Sequence, residues 1–333
     1  MYDKTVALTI SRRSFIKTVT ACSGLYLFNS SAFASNKSPQ TLRFGLIADL
    51  HQDIMYDATE RIRTFTGAMN KADADFVCQL GDFCAPNERN REFINSWKSF
   101  EGSRYSVIGN HDMDGGYKVE QTVSFLDMPA NYYSFDNKGV HFMVLDGNNP
   151  GGKAKGRNRY VDKAQRDWIK SDLNATLRPS VVFIHQPVDG HNNGLENSSE
   201  LRALLEEMKT PTGVPKVIAC FCGHNHDDSA VCINGIHYIR INSASYLWIG
   251  SRYKKEMFNK EIHRKYPSIS ATVTYKDPLW AFIEIDPAAG SIIVKGMQTS
   301  WVGPTPWERG ISKKVKDPKV VAPRISDRRI SLL

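Results

Sequence analysis

The 333-residue sequence has an ordinary apolar content of 41% and contains no repeats or low-complexity tracts. This composition excludes a repeat architecture and suits one large globular domain. The formal net charge of +8 comes from the two ends of the chain, since residues 1–34 contribute +3 and residues 309–333 contribute +6, leaving −1 for residues 35–308. Because the long central part is nearly neutral, the overall basicity does not predict nucleic-acid binding.

The first 34 residues have the pattern of an export signal. Arg12 and Arg13 lie in Ser-Arg-Arg-Ser-Phe-Ile-Lys, which is typical of a twin-arginine signal, and a moderately apolar stretch and a small-x-small cleavage site at residues 32–34 follow. The apolar run is too short to span a membrane. We therefore predict a bacterial chain that engages the twin-arginine export machinery, has no transmembrane segment when mature, and reaches the periplasm or beyond. An ordinary first helix is the alternative for residues 1–34.

Short apolar runs and amphipathic stretches alternate from residue 42 to residue 208. The runs predict buried parallel strands, and the periodic stretches predict helices between them. The expected strands cover 42–48, 75–80, 105–108, 180–184 and 216–222, and the expected helices cover 58–71, 91–100, 118–126, 163–175 and 198–208. Residues 131–146 alternate around Asn137-Lys138-Gly139 and predict a hairpin. This order predicts an α/β fold.

The second half is richer in expected strands, at 229–233, 236–242, 279–285 and 291–297. Two long segments, 148–160 and 249–275, are basic and irregular, and they are either specificity loops or solvated surface. Residues 309–333 are expected to form a basic C-terminal tail that is solvated and extended. The alternative is that Arg324, Arg328 or Arg329 folds back onto an anionic substrate.

Polar residues follow five of the expected strands at the points where those strands end. Open α/β sheets bind ligands beyond the carboxyl ends of their strands, so these side chains should converge. Carboxylate and neutral imidazole groups suit divalent Zn, Mn or Fe, and two ions roughly 3.5–4 Å apart can clamp the oxygens of a displacement at phosphorus. The segments are Asp49-Leu50-His51, Gly81-Asp82, Gly109-Asn110-His111-Asp112, His185 and Gly223-His224-Asn225-His226.

The order of these motifs resembles that of the calcineurin-like metallophosphoesterases, over about residues 42–297. Residues 44–49, 109–114 and 234–238 are most similar to the branch of manganese-dependent ADP-ribose/CDP-alcohol diphosphatases and related secreted bacterial phosphatases. One departure is Ala85, which stands where purple acid phosphatases carry a tyrosine. A tyrosinate-ligated ferric ion is therefore not expected.

The resemblance implies a four-layer α/β/β/α sandwich of two mixed sheets, with a catalytic domain over residues 35–308 that holds two divalent ions (Mn, Zn or Fe). His111 corresponds to the histidine that hydrogen-bonds the phosphate and can protonate the leaving oxygen. Asp112 would orient that imidazole, although an N-cap or loop role remains the alternative. One ion would be bound by Asp49, His51, Asp82 and His226, and the other by Asp82, Asn110, His185 and His224, so that Asp82 bridges them.

The sequence therefore predicts a secreted bimetallic phosphohydrolase. It would cleave a phosphoester, phosphodiester or diphosphate bond of a small phosphorylated substrate by attack of a metal-bridged hydroxide, with His111 as acid and phosphate contact. The alternatives are a nuclease of the same fold and a non-catalytic metal-binding scaffold. The complete ligand set and His111 favour the enzyme, and the nearly neutral body disfavours the nuclease.

Overall fold

A computed structural model describes residues 41–153 and 156–332. The expected export signal at residues 1–34 lies outside these residues. The helices are α1 (Ala58–Lys71), α2 (Arg91–Trp97), α3 (Val119–Phe125), α4 (Lys163–Ala175), α5 (Ser198–Glu207) and α6 (Lys260–Lys265). The strands are β1 (Leu42–Ile47), β2 (Phe76–Gln79), β3 (Ser103–Ser106), β4 (Tyr133–Asn137), β5 (Val140–Val144), β6 (Ser180–Phe183), β7 (Val217–Cys222), β8 (Ser229–Ile233), β9 (Ile236–Arg240), β10 (Tyr246–Trp248), β11 (Thr272–Thr274), β12 (Ala281–Asp286), β13 (Ser291–Lys295), β14 (Met297–Gln298), β15 (Arg324–Ile325) and β16 (Arg328–Ser331).

Twelve of these strands form two six-stranded mixed sheets. The first has the order β16-β13-β12-β1-β2-β3, and the second has the order β4-β5-β6-β7-β9-β8. In the first sheet β1 and β2 are parallel, and in the second β5, β6 and β7 are parallel. The carboxyl ends of neighbouring parallel strands therefore lie at one edge of each sheet, as the sequence predicts.

The two sheets face each other across a core of aromatic rings. Phe44 and Phe76 of the first sheet stack with centroids 4.6 Å apart. Phe44 also meets Phe142, Phe183 and Phe221 of the second sheet edge-on, at 5.7, 5.9 and 6.4 Å. All five side chains are fully buried, so this layer removes a large apolar area from water and fixes the distance between the sheets.

Helices cover the outer faces of both sheets. On the first sheet, Phe65 and Met69 of α1 pack so closely over Gly45 that a Cβ there would lie 2.3 Å from Met69 Sδ. On the second sheet, Ile169 and Leu173 of α4 join a separate buried cluster with residues of β5, β6 and β7. The predicted α/β/β/α sandwich is confirmed.

The expected strand at residues 105–108 differs from the observed β3, which begins earlier and ends at Ser106. The first residues of β3 are exposed, because this strand forms the edge of its sheet, so the apolar signal there is weak. Val107 and Ile108 are fully buried but lie beyond the strand. They lead the chain directly into the Gly-Asn-His-Asp motif.

The C-terminal residues correct the expectation of a solvated tail. β16 pairs antiparallel with β13, and its Ile330 is buried. Arg328 donates to Asp228 Oδ1 at 2.6 Å, and Arg324 donates to the backbone carbonyl of Lys319 at 2.9 Å. The tail thus completes the edge of the first sheet, and both arginines bind other parts of the chain. Within the described residues, no helix is long and apolar enough to cross a membrane.

Candidate metal centre

The ends of β1, β2, β6 and β7 bring two clusters of possible metal ligands together. In each cluster, one ligand atom from every residue lies within 4.8 Å of the others. The first cluster is Asp49, His51 and His226, and the second is Asp82, His185 and His224.

Asp82 lies between the two clusters. Its Oδ2 is 3.2 Å from Nε2 of His185 and 3.6 Å from Nε2 of His51. Its other oxygen, Oδ1, accepts the backbone N–H of His111 at 2.7 Å. The carboxylate is thus oriented by the backbone and faces both clusters, which is the position that a bridging ligand requires.

The backbone at the site is left-handed at five non-glycine residues. The φ angles of Asp49, His51, Asp82, His224 and His226 are 49°, 54°, 51°, 73° and 53°. This conformation disfavours side-chain-bearing residues, so the surrounding structure must stabilise it. Backbone hydrogen bonds between the first two loops do so: Asp49 N–H donates to the carbonyl of Gly81 at 3.1 Å, and His51 N–H donates to that of Asp82 at 3.0 Å.

Glycine is required where these loops meet. A Cβ on Gly109 would lie 2.1 Å from the backbone nitrogen of Asp82, and a Cβ on Gly223 would lie 2.4 Å from Asp49 Oδ2. No side chain fits in either place, so both motif glycines permit the close approach of one ligand loop to another.

Hydrogen bonds orient two of the imidazoles. His185 Nδ1 donates to the carbonyl of Leu80 at 2.8 Å, and His226 Nδ1 donates to the carbonyl of Tyr246 at 2.7 Å. Each bond places the proton on Nδ1 and leaves the Nε2 lone pair directed at the clusters.

The protonation of the histidines reflects burial and the neighbouring carboxylates. Burial lowers the pKa of His51 well below its ordinary value and lowers the pKa of His224 to about 3, so both rings are neutral at pH 7. Burial is the strongest single effect on His185 and opposes its protonation, but Asp82, Asp49 and the carbonyl of Leu80 together raise the pKa of His185 to about 9. A proton and a metal ion would therefore compete for Nε2 of His185.

Asn110 provides a direct test of whether these residues fit a metal. Its Oδ1 is buried and has no hydrogen-bond partner in the described part of the chain. An unsatisfied buried carbonyl oxygen is costly, whereas a cation would satisfy it. Because carboxylate, imidazole and amide oxygen suit Mn, Zn or Fe, the seven expected ligands fit two divalent ions.

The structure corrects the role expected for Asp112. Its carboxylate is fully buried and accepts three backbone N–H groups, from Phe83 at 2.6 Å, Cys84 at 2.9 Å and Gly109 at 2.8 Å. These bonds use the side chain to hold two loops together. The carboxylate that meets His111 belongs instead to Asp114, whose Oδ2 accepts from Nδ1 at 2.7 Å.

Arg157 is a site residue that the sequence did not single out. Its guanidinium donates to Nε2 of His111 at 2.5 Å and also binds Oδ1 of Asp114. It lies in the irregular basic segment 148–160. Composition predicted that this segment could carry specificity, but it could not identify which basic residue would reach the site.

A cavity of about 590 Å³ is lined by residues of both clusters and by His111. His191, which the sequence left undecided between substrate contact and solvent, lies on its wall, where its Nδ1 is 3.0 Å from Asn225 Nδ2. Other parts of the wall were not predicted. They include Asn193, Tyr246, Trp248, Lys314, Val315 and Lys316.

Comparison with known families identifies one match. The model of a family described as calcineurin-like phosphoesterase matches residues 42–228, more than half of the chain. No curated protein sequence matches significantly.

Solved structures with a similar fold include three whose sequences are distant. A dimetal phosphatase from Danio rerio superposes with a TM-score of 0.56 at 14% identity, over 78% of this chain and 98% of that one. GAP50, the anchor in the inner membrane complex of Plasmodium, superposes with a TM-score of 0.52 at 16% identity, over 77% of this chain and 84% of that one. A purple acid phosphatase from yellow lupin superposes with a TM-score of 0.50 at 12% identity, over 88% of this chain and 54% of that one. At these identities the likeness shows the fold alone.

Proposed function

Since this chain belongs to the calcineurin-like phosphoesterase family and is thereby a metal-dependent phosphoesterase, we propose that it hydrolyses a small phosphorylated substrate at the Asp82-centred site. The observation that carries this proposal is the position of Asp82 between two ligand clusters, beside the unsatisfied Oδ1 of Asn110. When bound, two divalent ions would activate water and polarise the phosphoryl oxygens.

The protein's own groups supply proton transfer and phosphate binding. His111 is half-buried and lines the cavity, so its Nε2, when protonated, can donate a hydrogen bond to a phosphate oxygen or a proton to the leaving oxygen. Asp114 accepts from Nδ1 of this ring and so holds the imidazole in one orientation. Arg157 places a second cationic group beside the same ring, where phosphate oxygens can accept from its guanidinium.

The similarity of residues 44–49, 109–114 and 234–238 to the manganese-dependent diphosphatase branch makes diphosphate diesters the first substrates to test. A nuclease remains the second hydrolytic candidate, although the central body carries a charge of only −1.

A non-catalytic scaffold is the third candidate, and one fold neighbour is described as an anchor. The complete ligand set and the His111–Asp114 pair favour hydrolysis over a scaffold.

The export proposal depends on the sequence of residues 11–34. A twin-arginine signal would carry the folded protein, with its metals already loaded, to the periplasm or beyond. The machinery that recognises this signal would then be its partner during export.

The test of the proposed reaction is a product-release assay on metal-free protein. Mn, Zn and Fe are supplied separately, and the substrates are ADP-ribose, CDP-choline, a cyclic nucleotide and a simple monoester. We expect hydrolysis of at least one class to return with at least one metal. Two tightly bound ions without hydrolysis of any class would favour the scaffold instead.

A further inference from the structure

Part of the cavity wall comes from outside the metal-ligand motifs. Among the described residues, six large apolar side chains are exposed, and two of these lie on this wall: Trp248 in β10, 38% exposed, and Val315, 73% exposed. The indole of Trp248 lies 5.6 Å from the ring of Tyr246, which also lines the cavity. Exposed aromatic and apolar groups at a cavity are typical of a surface that binds an apolar or planar ligand.

Lys316 adds a cation to the same wall. Its side chain is half-buried, and its ammonium has no hydrogen-bond or ion-pair partner in the described ranges. Burial lowers its pKa, whereas the nearby Asp227 raises it. Two acids of the wall have hydrogen-bond donors of their own: Asp227 accepts from Arg240 at 2.8 Å, and Asp317 accepts the backbone N–H of Lys319 at 2.9 Å. A ligand anion in the cavity would give the half-buried ammonium of Lys316 a direct partner.

The segment that carries Lys316 is fixed in place. Trp307 Nε1 donates to the backbone carbonyl of Lys316 at 2.9 Å, and the N–H of Asp228 donates to the carbonyl of Val320 at 2.9 Å. Val321 is buried in a small cluster with Leu247. The second of these hydrogen bonds starts two residues after the metal-cluster residue His226, so the wall and the metal centre are held in one arrangement before a ligand binds.

We propose that Trp248, Val315 and Lys316 form a leaving-group subsite for a planar ring that carries a second anionic group, as in a nucleoside diphosphate. The inference rests on the proposed phosphoesterase function, because it assumes that one phosphate is held at the metal centre. The ring stacks against the indole, and the second phosphate pairs with the ammonium of Lys316. A simple alkyl monoester would leave both features without a contact.

The test is equilibrium binding to the metal-loaded protein, measured by calorimetry without turnover. The two probes are inorganic phosphate and the non-hydrolysable α,β-methylene analogue of ADP. We expect the wild type to prefer the analogue, and Lys316→Gln and Trp248→Ala each to reduce that preference by about tenfold, because each removes one contact that phosphate alone does not make. Lys319→Gln is the matched control, since Lys319 is an exposed lysine of the same segment that does not line the cavity.

Two results would overturn the subsite. One is a wild type that binds the analogue no more tightly than phosphate. The other is an unchanged preference in both variants, or an equal weakening of both probes. Product release from ADP-ribose, CDP-choline, a cyclic nucleotide and a simple monoester is followed separately: the absence of hydrolysis of all four by the metal-loaded wild type would count against the proposed function, whereas the binding preference decides the subsite by itself.

Discussion

The imidazole of His111 donates from Nδ1 to Oδ2 of Asp114 at 2.7 Å. The contact joins two residues three positions apart in the Gly-Asn-His-Asp-Met-Asp segment. It fixes the tautomer of the ring with the proton on Nδ1, so that Nε2 accepts from Arg157 in this structure and is the nitrogen that a substrate would reach once Arg157 turns to the phosphate.

Asp114→Asn should therefore lower kcat by roughly tenfold to a hundredfold, the usual cost of losing a carboxylate that orients a functional histidine. Metal content should stay at the wild-type level, because Asp114 belongs to neither ligand cluster. Parallel measurement of kcat and of metal by elemental analysis checks this. A variant with the wild-type rate would show that Asp114 does not position His111.

Asp112→Asn should act on stability instead. The buried carboxylate accepts three backbone N–H groups, and an amide offers only one oxygen to accept them. We expect a loss of about 1–3 kcal/mol in the free energy of unfolding, measured by urea denaturation. An unchanged midpoint together with a large loss of kcat would restore the orienting role that the sequence predicted for Asp112.

His111→Ala should retain both metals, because Asn110 is the expected ligand in this motif and His111 belongs to neither ligand cluster. Its rate should fall by roughly a hundredfold or more, as for a lost general acid. The loss should be smaller for substrates with good leaving groups, since those need less protonation. Equal losses across a series of aryl esters would indicate that His111 only binds phosphate.

Metal uptake by the metal-free protein should strengthen as the pH rises towards about 9. Although burial opposes it, Asp82, Asp49 and the carbonyl of Leu80 together raise the pKa of His185 to about 9, so below that pH a proton must leave Nε2 before a metal can bind. The affinity should then fall by up to about tenfold for each pH unit below 9. Calorimetric titration with Zn or Mn between pH 6 and 9 checks this, and an affinity that is independent of pH would contradict it.

Export should fail when Arg12→Lys and Arg13→Lys are combined, although the charge of the signal is unchanged. Active, metal-loaded and uncleaved protein should then accumulate in the cytoplasm, where fractionation and N-terminal sequencing can detect it. Normal export of this variant would show that export needs only positive charge at these two positions and not arginine itself.

The ligand set could be predicted because each of its members directly follows a strand or a turn with an apolar signal. The alternation of short apolar runs and helices predicted an α/β fold, and the family resemblance implied the two-sheet sandwich. Sequence reasoning failed where a contact depends on three-dimensional placement: Asp112 directly follows His111 in sequence, but the carboxylate that meets the ring belongs to Asp114, three positions away, because the loop turns Asp112 towards the backbone of residues 83, 84 and 109.

The rest of the cavity wall could not be predicted for a related reason. Lys316 and Trp248 are far apart in sequence. They line the same cavity because the chain after residue 309 returns to the second half of the fold. β16 has no recognisable strand pattern in the sequence, because its single buried apolar residue, Ile330, lies among basic and polar neighbours. This segment forms a strand because it pairs with β13, and such long-range pairing cannot be read from the local sequence.

The most direct test of the central claim is the metal content of Asp82→Ala beside that of Asp73→Ala. Both substitutions place alanine on a left-handed backbone, at φ angles of 51° and 52°, so their local strain is matched. Asp73 is exposed, belongs to neither ligand cluster and forms an ion pair with Arg43 at 3.7 Å. If Asp82 bridges two ions, the wild type and Asp73→Ala should each hold two ions per chain and hydrolyse substrate, whereas Asp82→Ala should lose at least one ion and nearly all activity. Two fully occupied sites in Asp82→Ala would contradict the bridging role.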